Sequence, residues 1–204
     1  SVVSEVKKDN ELIKKYSLEN KFVVLLAGTI GYVQGIDTVL ETAVALKDND
    51  RIRFLIVGSG SQEQWLKNQI KEQGLSNIML AGQFDKSNQN IFLNACDVAL
   101  VALKPGMYGV GVPSRFYNYA SAGKPIVAVL DENSEISNTI KRYGIGKVVS
   151  PGNSVHLKST LIEFSKMDEA TLLSIGAKAR ETVLENYTNQ IILDRYLELF
   201  TELE

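Results

Sequence analysis

The chain of 204 residues has little of several things, and each scarcity excludes something. Its single cysteine, Cys96, cannot form an internal disulfide, so no cross-linked framework of the secreted kind applies. Set in the apolar run "FLNACDVALVAL", Cys96 reads as a small buried hydrophobe, and the compartment reads as cytoplasmic. The excess of charge is equally small: 22 basic against 24 acidic residues leave a net −2, which provides no global field toward nucleic acid or an acidic membrane surface. No apolar run approaches the ~18–20 residues of a membrane span, and the opening "SVVSEVKKDNELIKKY" lacks the apolar segment of a signal peptide. There is no initiator methionine, which fits an excised piece of a longer chain. The lone histidine, His156, follows Pro151-Gly152 in a helical surface stretch and reads as incidental.

What is present is 45% hydrophobic residues, enough for one generous domain around a continuous core. They come in a regular order. "FVVLLAG" reads as a buried strand, and "GIDTVLETAVAL" places Ile36, Val39, Leu40, Ala43 and Leu46 near one helical face. "IRFLIVGSG" followed by "SQEQWLKNQIKEQG" repeats the unit, with Ser61 a candidate cap and Gly74 a candidate terminator. "NIMLAG", "DKSNQNIFLNA" with candidate caps at Asp85 and Ser87, "DVALVAL", "PIVAVL", a helix near residues 134–143 and "GKVVS" continue the alternation, and three helical stretches close the chain. Continuously apolar strands alternating with amphipathic helices predict an α/β fold: a doubly wound parallel sheet of about six strands, with extra C-terminal helices. We divide the chain at 1–21, an N-terminal helix or linker; 22–187, a Rossmann-like domain; and 188–204, a last helix. Ligands of such sheets bind at the carboxyl ends of the strands.

The loops expected there differ in information. "AGTIGYVQG" brings Gly28, Thr29, Gly31 and Gly35, with a spacing that is neither the dinucleotide fingerprint nor the P-loop. Gly58 and Gly60 in "GSGSQ" suit either a phosphate approach or a tight turn before a helix. Gln83 and Phe84 in "AGQFD" suit the edge and face of a base, or local packing. The most informative stretch is "GVGVPSRFYNYASAGKPIVAVL". A helix starting near Ser114 presents backbone N–H groups, the Ser114 hydroxyl and the Arg115 guanidinium to a phosphate; an ordinary capped helix accounts for the same residues. Spacing places Arg115, Asn118 and Tyr119 on one face of that helix.

Taken in order, "AGTIGYVQGIDTVLETAVAL", "FLIVGSGSQEQWLK", "NIMLAGQFDKSNQNIFLNACDVALVAL" and "GVPSRFYNYASAGKPIVA" resemble the C-terminal, nucleotide-sugar-binding half of group 1 (family 4) GT-B glycosyltransferases, closest to the branch that builds bacterial O-antigens and other surface polysaccharides. The resemblance implies a retaining, metal-independent transferase without a cofactor, with a nucleotide-diphosphate sugar as donor, UDP-sugar favoured, and a lipid-linked or polysaccharide acceptor. It places the nucleotide sugar against Gly28, Thr29, Gly31, Gly58, Gly60, Gln83, Phe84, Gly111, Val112, Pro113, Ser114, Arg115 and Asn118. It also implies an acceptor-binding domain preceding residue 1, through which alone a peripheral membrane association at the cytoplasmic face would arise; the half alone is expected to be inactive. Where family members carry two glutamates this chain has Val110 and Asn118, and where they carry Arg and Lys in the first loop it has Thr29 and Gln34. No catalytic carboxylate is therefore assigned, and the diphosphate cation falls to Arg115, with Lys104 as a helper.

Three rival readings follow. An oxidoreductase lacks its fingerprint and the acid closing strand two. A nucleotide-sugar 2-epimerase shares fold and ligand class but calls for carboxylates and histidines in the cleft. A non-catalytic nucleotide-sugar-binding or scaffold module is favoured by the missing glutamates and opposed by Ser114-Arg115.

Overall fold

The structure, a computed structural model, describes residues 10–109 and 112–201. The strands are β1 (Phe22–Ala27), β2 (Ile52–Val57), β3 (Ile78–Gly82), β4 (Val98–Ala102), β5 (Ile126–Val129) and β6 (Gly146–Val149). The helices are α1 (Glu11–Tyr16), α2 (Ile36–Ala45), α3 (Glu63–Glu72), α4 (Gln89–Asn94), α5 (Arg115–Ser121), α6 (Glu135–Tyr143), α7 (Ser154–Ser165), α8 (Glu169–Asn186) and α9 (Asn189–Thr201). All six strands run parallel in the order β3-β2-β1-β4-β5-β6, the doubly wound sheet read from the sequence, and α8 and α9 are its additional C-terminal helices. No helix among the described residues is long and apolar enough to cross a membrane.

The unbroken apolar runs are explained by two-sided burial, since every residue of β1, β4 and β5 is buried. Alternate residues feed two cores. Val23, Leu25 and Ala27 join Ala99, Val101 and Ile126 on the face covered from α1, α4, α5, α6 and α8; Phe22, Val24 and Leu26 join Phe54, Ile56 and Val127 on the face covered from α2, α3 and α7. α1 reaches its face through the buried Leu12 and Ile13, and its N-cap Asn10 accepts from the Leu12 amide at 2.9 Å.

Two helix starts differ from the side-chain caps that the sequence suggests. α3 begins after Gln62 without a side-chain cap; the Gln62 amide instead donates to Ile30 O (2.9 Å) and the Glu63 amide to Gly60 O (3.0 Å), so the neighbouring loop backbone does the capping. The segment after β3 divides into a 3₁₀ turn, Lys86–Asn88, and α4, with no side-chain cap at Asn88.

The feature that positions the site is the divergence of β1 from β4. They pair only at Val24↔Val98 and Leu25↔Ala99, whereas β1 stays with β2 through Ala27↔Val57. This is where strand order reverses, and a crevice opens there at the carboxyl edge.

Candidate nucleotide-sugar cleft at the carboxyl edge

Beyond Leu25 the side of β1 facing β4 has no ladder partner, and Ala27 turns its N–H and C=O that way. Tyr119, fully buried in α5, satisfies both: its hydroxyl accepts from the Ala27 amide at 2.6 Å and donates to the Ala27 carbonyl at 3.0 Å. Burial pushes the Tyr119 phenol up to about 12, against the opposing pull of the Arg115 charge. α5 is thereby fixed against the end of β1, and its first residue, Arg115, lies over the β1 exit. There Nη2 donates to Thr29 O at 3.4 Å. A Cβ on Gly28 would stand 3.2 Å from the same Nη2, so the bare backbone lets the guanidinium come close. Arg115 Nη1 is shielded from solvent and has no hydrogen-bond partner among the described residues.

Around this cation lies a cleft of about 870 Å³, between the exits of β1, β2 and β3 on one side and α4 and α5 on the other. Of the residues expected at the site, it gathers Gly28, Thr29, Gly58, Gln83, Phe84, Ser114, Arg115 and Asn118. Gly31 and Gly60 do not line it; Gly31 borders a smaller cavity beside Tyr32. Val112 and Pro113 line two adjoining cavities, of about 290 and 320 Å³; the former shares Thr29, Ser114 and Arg115 with the cleft. Val110 and Gly111 lie outside the described residues.

The two readings of Gly58 resolve toward packing. At φ +132° its Cβ would stand 1.9 Å from Gly28 O, while the Gly28 amide donates to Val57 O and the Ile30 amide to Ser59 O, both at 2.8 Å. Gly58 therefore lets the β1 and β2 exit loops lie against each other, and shapes the cleft wall through that contact. Phe84 meets Phe92 edge-on, with centroids 5.8 Å apart, and still lines the cleft. Gln83 Nε2 donates to Ser59 Oγ.

The helix start at Ser114 also differs in detail from the anion site drawn from sequence. Ser114 makes no capping bond, and the Phe116 and Tyr117 amides are already engaged by Pro113 O (3.0 Å) and Ser114 O (3.2 Å). The Arg115 guanidinium, by contrast, keeps a donor at Nη1 that is unpartnered among the described residues. Lys104 is held elsewhere: its Nζ lies 3.1 Å from Asp37 Oδ2 and 3.8 Å from the Tyr32 ring centroid, and it does not line the cleft. Sequence reasoning missed Ser59, Asp85 as a cleft residue, and Gln89, which complete the polar lining. Ser59 sits between the two glycines already singled out, and that position was its only signal.

Residues 8–182 match the family described as Glycosyl transferases group 1. WbjE of Pseudomonas aeruginosa, named as a glycosyltransferase, is 34% identical over 178 residues, which are 87% of this chain and 44% of that protein. WcaI of Escherichia coli (strain K12), named as a glycosyl transferase of colanic acid biosynthesis, is 29% identical over 177 residues, covering 86% of this chain and 43% of its own length. Among solved structures, Anabaena HepE in complex with UDP-glucose superposes with a TM-score of 0.77 at 17% identity, over 94% of this chain and 52% of that one, a likeness of fold. The chain thus spans less than half the length of the two curated relatives. A family match that runs through all six strands, together with the likeness to WbjE, places the chain among the group 1 glycosyl transferases, in the GT-B fold.

Proposed function

We propose that this chain is the donor-binding half of a retaining, metal-independent glycosyltransferase that moves a sugar from a nucleotide-diphosphate sugar, UDP-sugar favoured, to a lipid-linked or polysaccharide acceptor in cell-surface polysaccharide synthesis. The observation that carries the reading is Arg115: a guanidinium with one nitrogen desolvated and unpartnered, held over the β1 exit inside a cleft of about 870 Å³ at the point where strand order reverses. A fixed cation there meets the negative charge that grows on a departing diphosphate, and its partial burial strengthens that interaction. Asn118, three residues along α5, offers an amide to ribose hydroxyls, and Gln83 and Phe84 offer a polar edge and a ring to the base. That relatives extend well beyond the matched region, and that HepE carries UDP-glucose, support a second, acceptor-binding domain preceding residue 1 and a uridine donor. Retention, metal independence, the lack of a cofactor and work at the cytoplasmic face of the membrane follow from the family resemblance; product stereochemistry and activity in a chelator check the first two.

A second reading, a nucleotide-sugar-binding module without turnover, is favoured by the family resemblance, which implies two glutamates where this chain has Val110 and Asn118. Both readings require a nucleotide. UDP at a hundredfold excess over Kd should stabilise the chain by about 2.7 kcal/mol, roughly 5–10 °C in Tm for a domain of this size. Arg115→Ala should weaken UDP about 10- to 100-fold, the loss of one or two charge-assisted hydrogen bonds. If neither UDP nor GDP protects the chain and Arg115→Ala changes nothing, the donor site is wrong. Turnover by the full-length protein then separates enzyme from module.

A further inference from the structure

Three large aromatic side chains stand exposed at the carboxyl edge: Tyr32 (65% exposed) after β1, Trp65 (38%) in the first turn of α3, and Tyr108 after β4. Exposed aromatic rings that cluster beside a cleft offer apolar faces and polar tips for recognition. Tyr32 and Trp65 share one cavity of about 210 Å³, with Asp37, Gln62 and Lys104 as its polar walls. It has no lining residue in common with the nucleotide cleft, although the loops after β1 and β2 border both. Tyr32 is held in place: Lys104 Nζ sits 3.8 Å from its ring centroid and is itself anchored 3.1 Å from Asp37 Oδ2. The other carboxylate oxygen, Asp37 Oδ1, has no hydrogen-bond partner among the described residues. Two rings, a carboxylate paired with an ammonium, and an amide around a shallow pocket suit the C–H face and the hydroxyls of a hexopyranose. Such a ring lays its C–H face on an aromatic plane and offers hydroxyl donors to a carboxylate.

We infer that the Tyr32–Trp65 cavity is a second saccharide site, which holds one hexopyranose ring of the acceptor glycan. The identification as acceptor rests on the glycosyltransferase reading; the site itself rests on its own residues. Trp65 is the only tryptophan of the chain, so its emission reports the cavity directly. The test titrates the 204-residue protein with maltotriose, mannotriose, methyl α-glucopyranoside and methyl α-mannopyranoside, with sorbitol as a polyol that lacks a ring. The expected result is a saturating change in Trp65 emission with at least one glycoside, unaltered by saturating UDP. Tyr32→Ala should weaken it roughly fivefold, the loss of one aromatic contact, and Tyr32→Phe should retain it. Tyr32 is mostly in water, so Tyr32→Ala keeps the fold, and unchanged UDP protection of that variant shows it. The inference is overturned if none of the glycosides changes Trp65 emission, if sorbitol does so equally, if UDP competes, or if Tyr32→Ala responds like the parent. Failure of the donor reading is registered separately, by UDP protection and Arg115→Ala.

Discussion

Removing one oxygen atom, in Tyr119→Phe, should cost this fold more than its size suggests. The ring remains and fills the same volume, so no cavity opens and the apolar burial is kept. What is lost is the only atom that pairs with both the amide and the carbonyl of Ala27, at 2.6 and 3.0 Å, on the side of β1 from which β4 has already turned away. Both groups are buried, and an unsatisfied buried donor or acceptor costs about 1–3 kcal/mol. Relaxation of the strand or entry of one water recovers part of that, which leaves an expected loss of about 2–4 kcal/mol, a large share of the stability of an ordinary domain. Equilibrium guanidinium unfolding measures it as a lower midpoint at unchanged slope. Because the same bonds hold α5 against β1, the variant should also bind UDP more weakly, although Tyr119 gives its hydroxyl to the backbone. A loss below 1 kcal/mol with undiminished UDP protection would refute the role given to this hydroxyl at the strand switch.

The remaining predictions concern pH, the loop contact and the two ligand sites. The folded-state phenol of Tyr119 is raised to about 12 from the ordinary 10, so the neutral form is favoured on folding and its contribution is complete below pH 10. It is lost as pH climbs from 10 through 12, by about 2–3 kcal/mol in all, and unfolding midpoints of Tyr119→Phe should fall less steeply over that window than those of the parent. Gly58→Ala, with a Cβ 1.9 Å from Gly28 O and φ at +132°, should destabilise by at least about 3 kcal/mol or prevent folding, read from the soluble yield and far-UV circular dichroism. Arg115→Ala, at a half-buried position whose guanidinium faces the cleft, should cut UDP protection at the same ligand concentration to about 0.4–1.4 kcal/mol while the unliganded Tm holds. Tyr32→Ala should act in the opposite sense, sparing UDP and weakening a glycoside response at Trp65.

The order of strands and helices, the six parallel strands, the glycine exits at Gly28 and Gly58 and the family itself were legible in the chain alone. Those features come from local chemistry: apolar runs of five or six residues, 3.6-residue periodicity and turn residues between them. The end of α3 was legible too: Gly74, read as its terminator, follows the helix at φ +61°, a stop set by residues next to one another in the chain. The cap read at Ser61 failed, because at the start of α3 the Gln62 amide donates to Ile30 O, in a loop some thirty residues earlier.

The composition of the site was only half determined that way. Spacing put Arg115, Asn118 and Tyr119 on one helical face, but it did not distinguish the half-buried cation, which faces the cleft, from the fully buried phenol, which serves the strand. Nor did it show that Lys104 lies outside the cleft lining. That followed from a tertiary neighbour, Asp37, sixty-seven positions away in the chain, and from the Tyr32 ring. Sequence by itself determined which segments become strands and which of their exits carry glycine, because each depends on residues a few positions apart. The sheet order β3-β2-β1-β4 decided the rest: it set the exits of β1, β2 and β3 beside α5 and let β1 part from β4 there, so that residues ninety apart met to make a cleft.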